Sequence, residues 1–255
     1  MKLLIILLKK IEILSAVSMK LVYLTGKSKY PIHPKHLIKN DKLWYKNYLR
    51  PTDAILDLGC GTGRDLQIAS RKVKKAIGAD IDEMQIRKAT NETFGKKLSN
   101  IRFKVVDANK KLPFKDDSFD KVVVSDVLEH LDNRNLAINE VRRILKNSGL
   151  LLLVTDNPDS SWKKIQKRHR LFYFADSDHR YEYPKEEILK ILKNKKFSIL
   201  SCKISTYDTP LKGAIDLVGG ISLSLYKKLR NWRTRMAIKH PEETTGFMIV
   251  AQISK

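Results

Sequence analysis

Two cysteines in 255 residues, Cys60 and Cys202, are too few for a disulfide framework and show no paired spacing of the zinc-binding kind. A reducing, cytoplasmic setting is the expectation. Long apolar runs are missing as well. Leu3–Leu8 is cut after six residues by Lys9 and Lys10, whereas a bilayer span needs about 20, and the paired lysines interrupt what would be a signal-peptide core. The segment is therefore expected neither to span nor to export. Two readings stay open for it: a basic, apolar helix lying in a membrane interface, or a helix packed on the domain. Met19 offers an alternative start to Met1.

Acidic residues are scarce. Against 28 Asp and Glu stand 50 Lys and Arg, a net charge of +22. The excess is uneven: +9 over residues 1–50, +3 over 51–157 and +10 over 158–255. A nearly neutral middle with basic flanks points to an anionic partner, whether lipid headgroup, pyrophosphate-linked or sugar-containing acceptor, or nucleic acid. The plainer alternative is a Lys-rich composition, 36 Lys to 14 Arg, that serves solubility.

Two common nucleotide-binding signatures are absent. The dinucleotide fingerprint G-x-G-x-x-G fails because Arg64 stands three residues past Gly61 and Leu66 three past Gly63. The phosphate loop fails because Gly26-Lys27-Ser28 has Leu21 in place of its first glycine. What is present is Ile55–Gly63, ILDLGCGTG. This apolar run breaks into Gly59, Gly61 and Gly63 and then turns helical, giving a strand, a tight turn and a helix N-terminus whose backbone a ligand can touch.

The spacing of Asp57, Gly59, Gly61 and Gly63, D-x-G-x-G-x-G, closely resembles motif I of the class I S-adenosylmethionine-dependent methyltransferases, of a type 11-like kind. The resemblance covers roughly residues 53–157. It implies an α/β, Rossmann-like fold with a seven-stranded sheet of order 3-2-1-4-5-7-6, strand 7 antiparallel and helices on both faces. The cofactor implied is S-adenosylmethionine (SAM). Asp57 then suits the charged amino-acid tail. Lys75–Ile81 reads as a strand ending in Asp80, whose carboxylate can accept from ribose hydroxyls. Ile101–Asp107 reads as a third strand, with Asp107 matching the residue that reads the adenine amino group and Ala108 supplying a neighbouring backbone contact. Cys60, Ile81 and Ser125 complete the expected cofactor wall. Lys121–Asp126 and Leu150–Thr155 are apolar runs of the kind a doubly covered sheet requires.

Chemistry in such sheets gathers at the carboxyl ends of strands, here Ser125-Asp126-Val127-Leu128-Glu129-His130. Methyl transfer needs an acceptor positioned and its proton taken, and His130, with Asp126 beside it, is the catalytic candidate. The same stretch, Asp126, Glu129 and His130, is similar to the acidic-histidine cluster of ubiquinone-pathway O-methyltransferases, and Asp156-Asn157 to the catechol-type magnesium enzymes. Mg²⁺ is thus an alternative, with a metal-free site preferred.

The sequence divides into a basic leader (1–50), a cofactor core (51–157) and a substrate side (158–255) of the same domain. In the leader, His33-Pro34-Lys35-His36 and an expected helix carrying Trp44, Tyr45 and Tyr48 resemble methyltransferases of polysaccharide and cell-surface glycan synthesis. Such a helix could close over the cofactor. Residues 158–184 interleave aromatics with bases, as suits sugar and phosphate or stacked bases. Their His169 and His179 read as solvated. Residues 206–245 form an unusually long connection, in which a Gly219-Gly220 break separates an apolar stretch from Lys227, Lys228, Arg230, Arg233 and Arg235 around Trp232. Residues 211–235 and the N-terminal segment are the candidate membrane-surface contacts of a peripheral protein. Nucleic acid is the second partner considered, although the [DNS]-P-P-[YFW] motif of base amino-methylation is absent after strand four. A non-catalytic SAM-binding protein is a third reading.

Overall fold

The computed structural model describes residues 2–38, 43–96 and 98–254. In chain order its elements are α1 (Lys2–Ile11), α2 (Leu14–Leu24), β1 (Ala54–Leu58), α3 (Arg64–Ser70), β2 (Lys75–Asp80), α4 (Glu83–Gly95), β3 (Ile101–Val105), β4 (Phe119–Ser125), α5 (Arg134–Ile144), β5 (Leu145–Asp156), α6 (Ser161–Arg168), α7 (Lys185–Asn194), β6 (Phe197–Ile204), α8 (Lys212–Ile221), α9 (Leu223–Lys239) and β7 (Gly246–Ile253). They fall into two compact units that cut across the sequence. A sheet unit comprises Leu43–Asp156, Ala175–Lys203 and Phe247–Lys255, and a helical unit Met1–Lys42, Asn157–Phe174 and Ile204–Gly246.

The seven strands form one sheet of order β3-β2-β1-β4-β5-β7-β6 with β7 antiparallel, as expected. Side chains alternate across a strand, and the apolar runs use both faces. Leu56, Leu58, Val122, Val124, Leu151, Leu153, Ile249 and Ala251 belong to one buried cluster, with Ile138 and Val141 of α5 and Ile188 and Leu192 of α7. Their neighbours Ile55, Val123, Leu150, Leu152 and Val250 belong to another, with Leu66 and Ala69 of α3. Parallel strands covered on both sides explain why these segments read as unbroken apolar runs.

Four local expectations need correction. Strand β3 stops at Val105, two residues short of Asp107. There the Asp107 carboxylate accepts the Asn109 N–H at 2.9 Å, turning the chain out of the ladder. In the leader, residues 39–42 lie outside the described residues, and the described residues between α2 and β1 hold two single 3₁₀ turns, Pro34–Leu37 and Lys46–Tyr48. Among the described residues no α-helix carries the aromatics: Tyr45 is buried with Leu43, Ile55 and Leu66, and Trp44 and Tyr48 pack against them. Their apolar area packs into the core of the sheet unit.

In the helical unit Gly219 and Gly220 lie inside α8 instead of breaking it. A Cβ on Gly219 would stand 2.5 Å from the Pro34 ring, and one on Gly220 2.7 Å from the Leu21 side chain. Glycine inside a helix costs about 0.5–1 kcal/mol relative to alanine, which the close approach of α2 to α8 offsets. The break falls at Ser222, whose hydroxyl oxygen caps α9 by accepting the Leu225 N–H at 3.3 Å. Arg233, expected on a basic surface, is buried at 5% exposure and donates from Nε to the Tyr207 carbonyl at 2.9 Å. Among the described residues no helix is long and apolar enough to cross a membrane.

Candidate active site

The glycine turn follows β1 directly. Gly59, Gly61 and Gly63 have φ of +79°, +50° and +68°, the left-handed region that costs other residues about 1–2 kcal/mol. The three differ in what their missing Cβ would meet. At Gly59 it would run into the Val127 side chain, and at Gly63 into the Phe103 ring, so protein already fills both spaces. At Gly61 nothing stands within 4 Å. The turn is therefore closed on two sides by its own fold and open on the third, as a cradle for a ligand must be. Gly63 is also the residue from which α3 starts, so that helix N-terminus opens on the same turn.

Asp80 ends β2 and is tied to this turn. Its Oδ2 accepts the Gly61 N–H at 2.7 Å and its Oδ1 the Asp82 N–H at 3.0 Å. Each oxygen keeps a second lone pair for an incoming hydroxyl. Gly59 and Cys60 donate their N–H groups to the Ala79 carbonyl at 2.7 and 3.1 Å, clamping the turn against β2. The Val106 N–H donates to the Asp80 carbonyl at 2.8 Å, bringing Asp107 alongside. Its carboxyl is held below the ordinary range by the Asn109 N–H and by Lys110. Ala108 is buried and Ile81 exposed. Cys60 is half-buried beside Asp57 and Asp80, and burial pushes its thiol up, away from nucleophilic chemistry.

Asp57 is buried in β1 at 7% exposure. Burial, with the Asp65 and Asp80 carboxylates adding to it, pushes its carboxyl from 3.8 up to about 8, so its place in the strand favours the neutral form. A folded value above the unfolded one means that the native state binds this proton more tightly. The contribution to stability is full below about pH 4 and is lost as pH rises through about 8. Asp57→Asn should therefore flatten the fall in melting temperature between these limits. A slope unchanged from the parent protein would show that Asp57 ionises normally in its buried place.

The second group of candidates follows β4. Ser125 ends the strand. Asp126 is exposed with φ of +54°, a conformation Asp tolerates better than most residues. Val127 packs against the glycine turn, placing the β4 end beside the cradle. Leu128–His130 form a single 3₁₀ turn. The half-buried His130 ring packs edge-on against His179, with centroids 4.6 Å apart.

His179 is the residue that sequence reasoning misplaced. It is buried at 8% exposure, with Nδ1 3.0 Å from Glu182 Oε1 and 3.8 Å from Asp156 Oδ2. Burial alone lowers an imidazole's pKa, yet the Glu182 hydrogen bond and the Asp156 carboxylate outweigh it and raise that of His179. Glu129 is fully buried, and burial, with Asp126 and Asp156 adding to it, pushes it up to about 8. The aromatic and basic composition around residue 179 hid this placement. The available signal was the spacing His179-x-x-Glu182 on a segment entering the sheet unit. The Asn157 amide donates to the carbonyls of Glu242 and Thr244 at 3.1 and 2.9 Å.

A family model described as a methyltransferase domain matches residues 49–196. Over 105 residues, 41% of each chain, the protein is 34% identical to YcgJ, an uncharacterized methyltransferase of Bacillus subtilis. It is 31% identical over 176 residues to the uncharacterized protein MJ1252 of Methanocaldococcus jannaschii, covering 62% of this chain and 63% of that one. The chain thus spans less than two thirds of the length of these two relatives. Among solved structures it is similar to a SAM-dependent methyltransferase of Methanosarcina mazei, with a TM-score of 0.57, 25% identity and coverage of 82% of this chain and 95% of that one. With the family model matching more than half of the sequence and the sheet order of class I methyltransferases in the fold, the chain belongs to the methyltransferase domain family.

Proposed function

We propose that this protein is a SAM-dependent methyltransferase acting on an oxygen nucleophile of an anionic acceptor, glycan or lipid-linked in kind. The observation that carries this reading is the cradle whose one open glycine, Gly61, is hydrogen-bonded to the acidic strand end Asp80. Asp57 and the Gly59–Gly63 turn would hold the amino-acid tail, Asp80 the ribose hydroxyls, and Asp107 with Ala108 the adenine. Cys60, Ile81 and Ser125 would complete the wall around it. When bound, the cofactor supplies a sulfonium methyl group. His130 would take the acceptor's hydroxyl proton on an imidazole nitrogen, with Asp126 beside it to stabilise the resulting imidazolium.

Charge and exposure favour the acceptor class. The helical unit's sequence carries 21 basic residues against 7 acidic ones. It also exposes Leu3, Leu4 and Leu7 of α1, Leu24 of α2, Ile221 of α8 and Ile238 of α9. Bases beside exposed apolar side chains suit an anionic lipid surface, peripheral and without a span. Mg²⁺ is not needed for this reading.

The test is transfer of labelled methyl from SAM into an extract of the source cells, separated into lipid, glycan, RNA, protein and small-molecule fractions. Label in the lipid or glycan fraction is expected. Label in RNA would reassign the basic unit to phosphate binding, and no label in any fraction would leave a cofactor-binding protein without this catalysis.

A further inference from the structure

At the carboxyl ends of β4 and β5 lies a cluster distinct from the glycine turn. Glu129 sits in the turn after β4, Asp156 closes β5, and His179 is brought to them by the chain itself. The N–H groups of Arg180 and Tyr181 donate to the Glu129 carbonyl at 2.6 and 3.2 Å. One carboxylate oxygen each from Glu129 and Asp156 and one ring nitrogen of His179 all lie within 4.8 Å of one another.

Two further features point to a ligand. Glu129 has no exposed surface; its Oε1 accepts the Asp156 N–H at 3.3 Å, while its Oε2 is buried with no hydrogen-bond partner. Native proteins rarely leave such an oxygen unmatched. His179 meets Glu182 through Nδ1 at 3.0 Å, and the buried Glu182 itself accepts the Ala175 N–H at 2.6 Å. A carboxylate fixing one ring nitrogen is how metal-ligating imidazoles are oriented.

We propose that Glu129, Asp156 and His179 form a divalent-cation site. Two carboxylates and an imidazole suit a first-row transition ion such as Mn²⁺, Co²⁺ or Zn²⁺ better than Mg²⁺ or Ca²⁺, which favour oxygen alone. Three protein ligands leave coordination positions for an acceptor bearing adjacent oxygens. The set differs from the contiguous Asp126-x-x-Glu129-His130 pattern. Asp126 is exposed, and His130 forms a wall against the His179 ring. The arrangement has a rival, in which protons held on Glu129 and His179 balance the cluster with no ion bound.

The test is titration of the full-length protein, free of any polyhistidine tag, with Co²⁺ alone, read by visible d–d absorption. Expected are one bound ion per chain, its displacement by Zn²⁺, and at least a roughly tenfold loss of affinity in both Glu129→Gln and His179→Gln. Asp126→Asn should keep the one-ion stoichiometry and lose less affinity than either ligand variant. The proposal is overturned if no stoichiometric complex forms. It is also overturned if both variants, shown folded by circular dichroism, bind Co²⁺ unchanged, or if saturating Co²⁺ leaves an imidazolium at His179 by NMR. This readout does not depend on methyl transfer, so the site stands or falls apart from the catalytic reading.

Discussion

Asp80→Ala should raise the Kd for SAM by roughly 10- to 150-fold, the equivalent of about 1.5–3 kcal/mol for a hydrogen bond to a charged group. The carboxylate is expected to accept from the ribose, and it also holds the turn itself, through the Gly61 N–H at 2.7 Å and the Asp82 N–H at 3.0 Å. Removing it loosens the cradle and deletes its acceptor together. Asp80→Asn separates the two effects in part. One amide oxygen can still accept a backbone N–H, while the NH₂ presents a donor where an acceptor is needed. Calorimetric titration with SAM, paired with a thermal melt of each variant, measures both. A Kd equal to that of the parent in a folded Asp80→Ala protein would sink the assignment of this residue.

Alanine at the three turn glycines should divide stability from binding. Gly63→Ala carries the strain of φ +68° and drives a methyl group into the Phe103 ring. Left-handed strain of about 1–2 kcal/mol and overpacking of about 1–3 kcal/mol predict a loss of about 2–5 kcal/mol. Gly59→Ala should behave alike, against Val127. Gly61→Ala meets no protein atom within 4 Å, so only the strain remains, about 1–2 kcal/mol. Its methyl group would occupy the open side of the cradle. Gly61→Ala should therefore melt closest to the parent yet lose the most SAM affinity relative to its loss of stability. Full SAM binding by Gly61→Ala would mean that the open side faces solvent and not the cofactor.

Much of this arrangement was legible along the chain because it is written locally. Apolar runs of strand length need only their own residues to be recognised, and the doubly buried sheet they imply is the sheet found. The D-x-G-x-G-x-G turn is likewise local, since left-handed φ at alternate positions favours glycine wherever the segment folds. Asp80 could be placed because a strand end next to a glycine turn has one geometry in a parallel sheet.

Asp107 was one step harder. Its position depended on a side chain leaving the ladder for an Asx turn, a choice that β-propensity does not encode.

His179, Arg233 and the Gly219-Gly220 pair were misread for a common reason. Each lies in a stretch that composition marks as polar, flexible or surface-bound, and each is buried by partners distant in sequence: Glu129 and Asp156 for His179, Tyr207 for Arg233, and Pro34 and Leu21 for the glycines. Whether a histidine is solvated or clasped by carboxylates, and whether a glycine pair breaks a helix or lets another approach it, depends on what packs opposite. Periodicity and local turn chemistry are properties of one segment and survive in the bare sequence. Burial is a property of pairs of segments, and it exists only once the chain has folded them together.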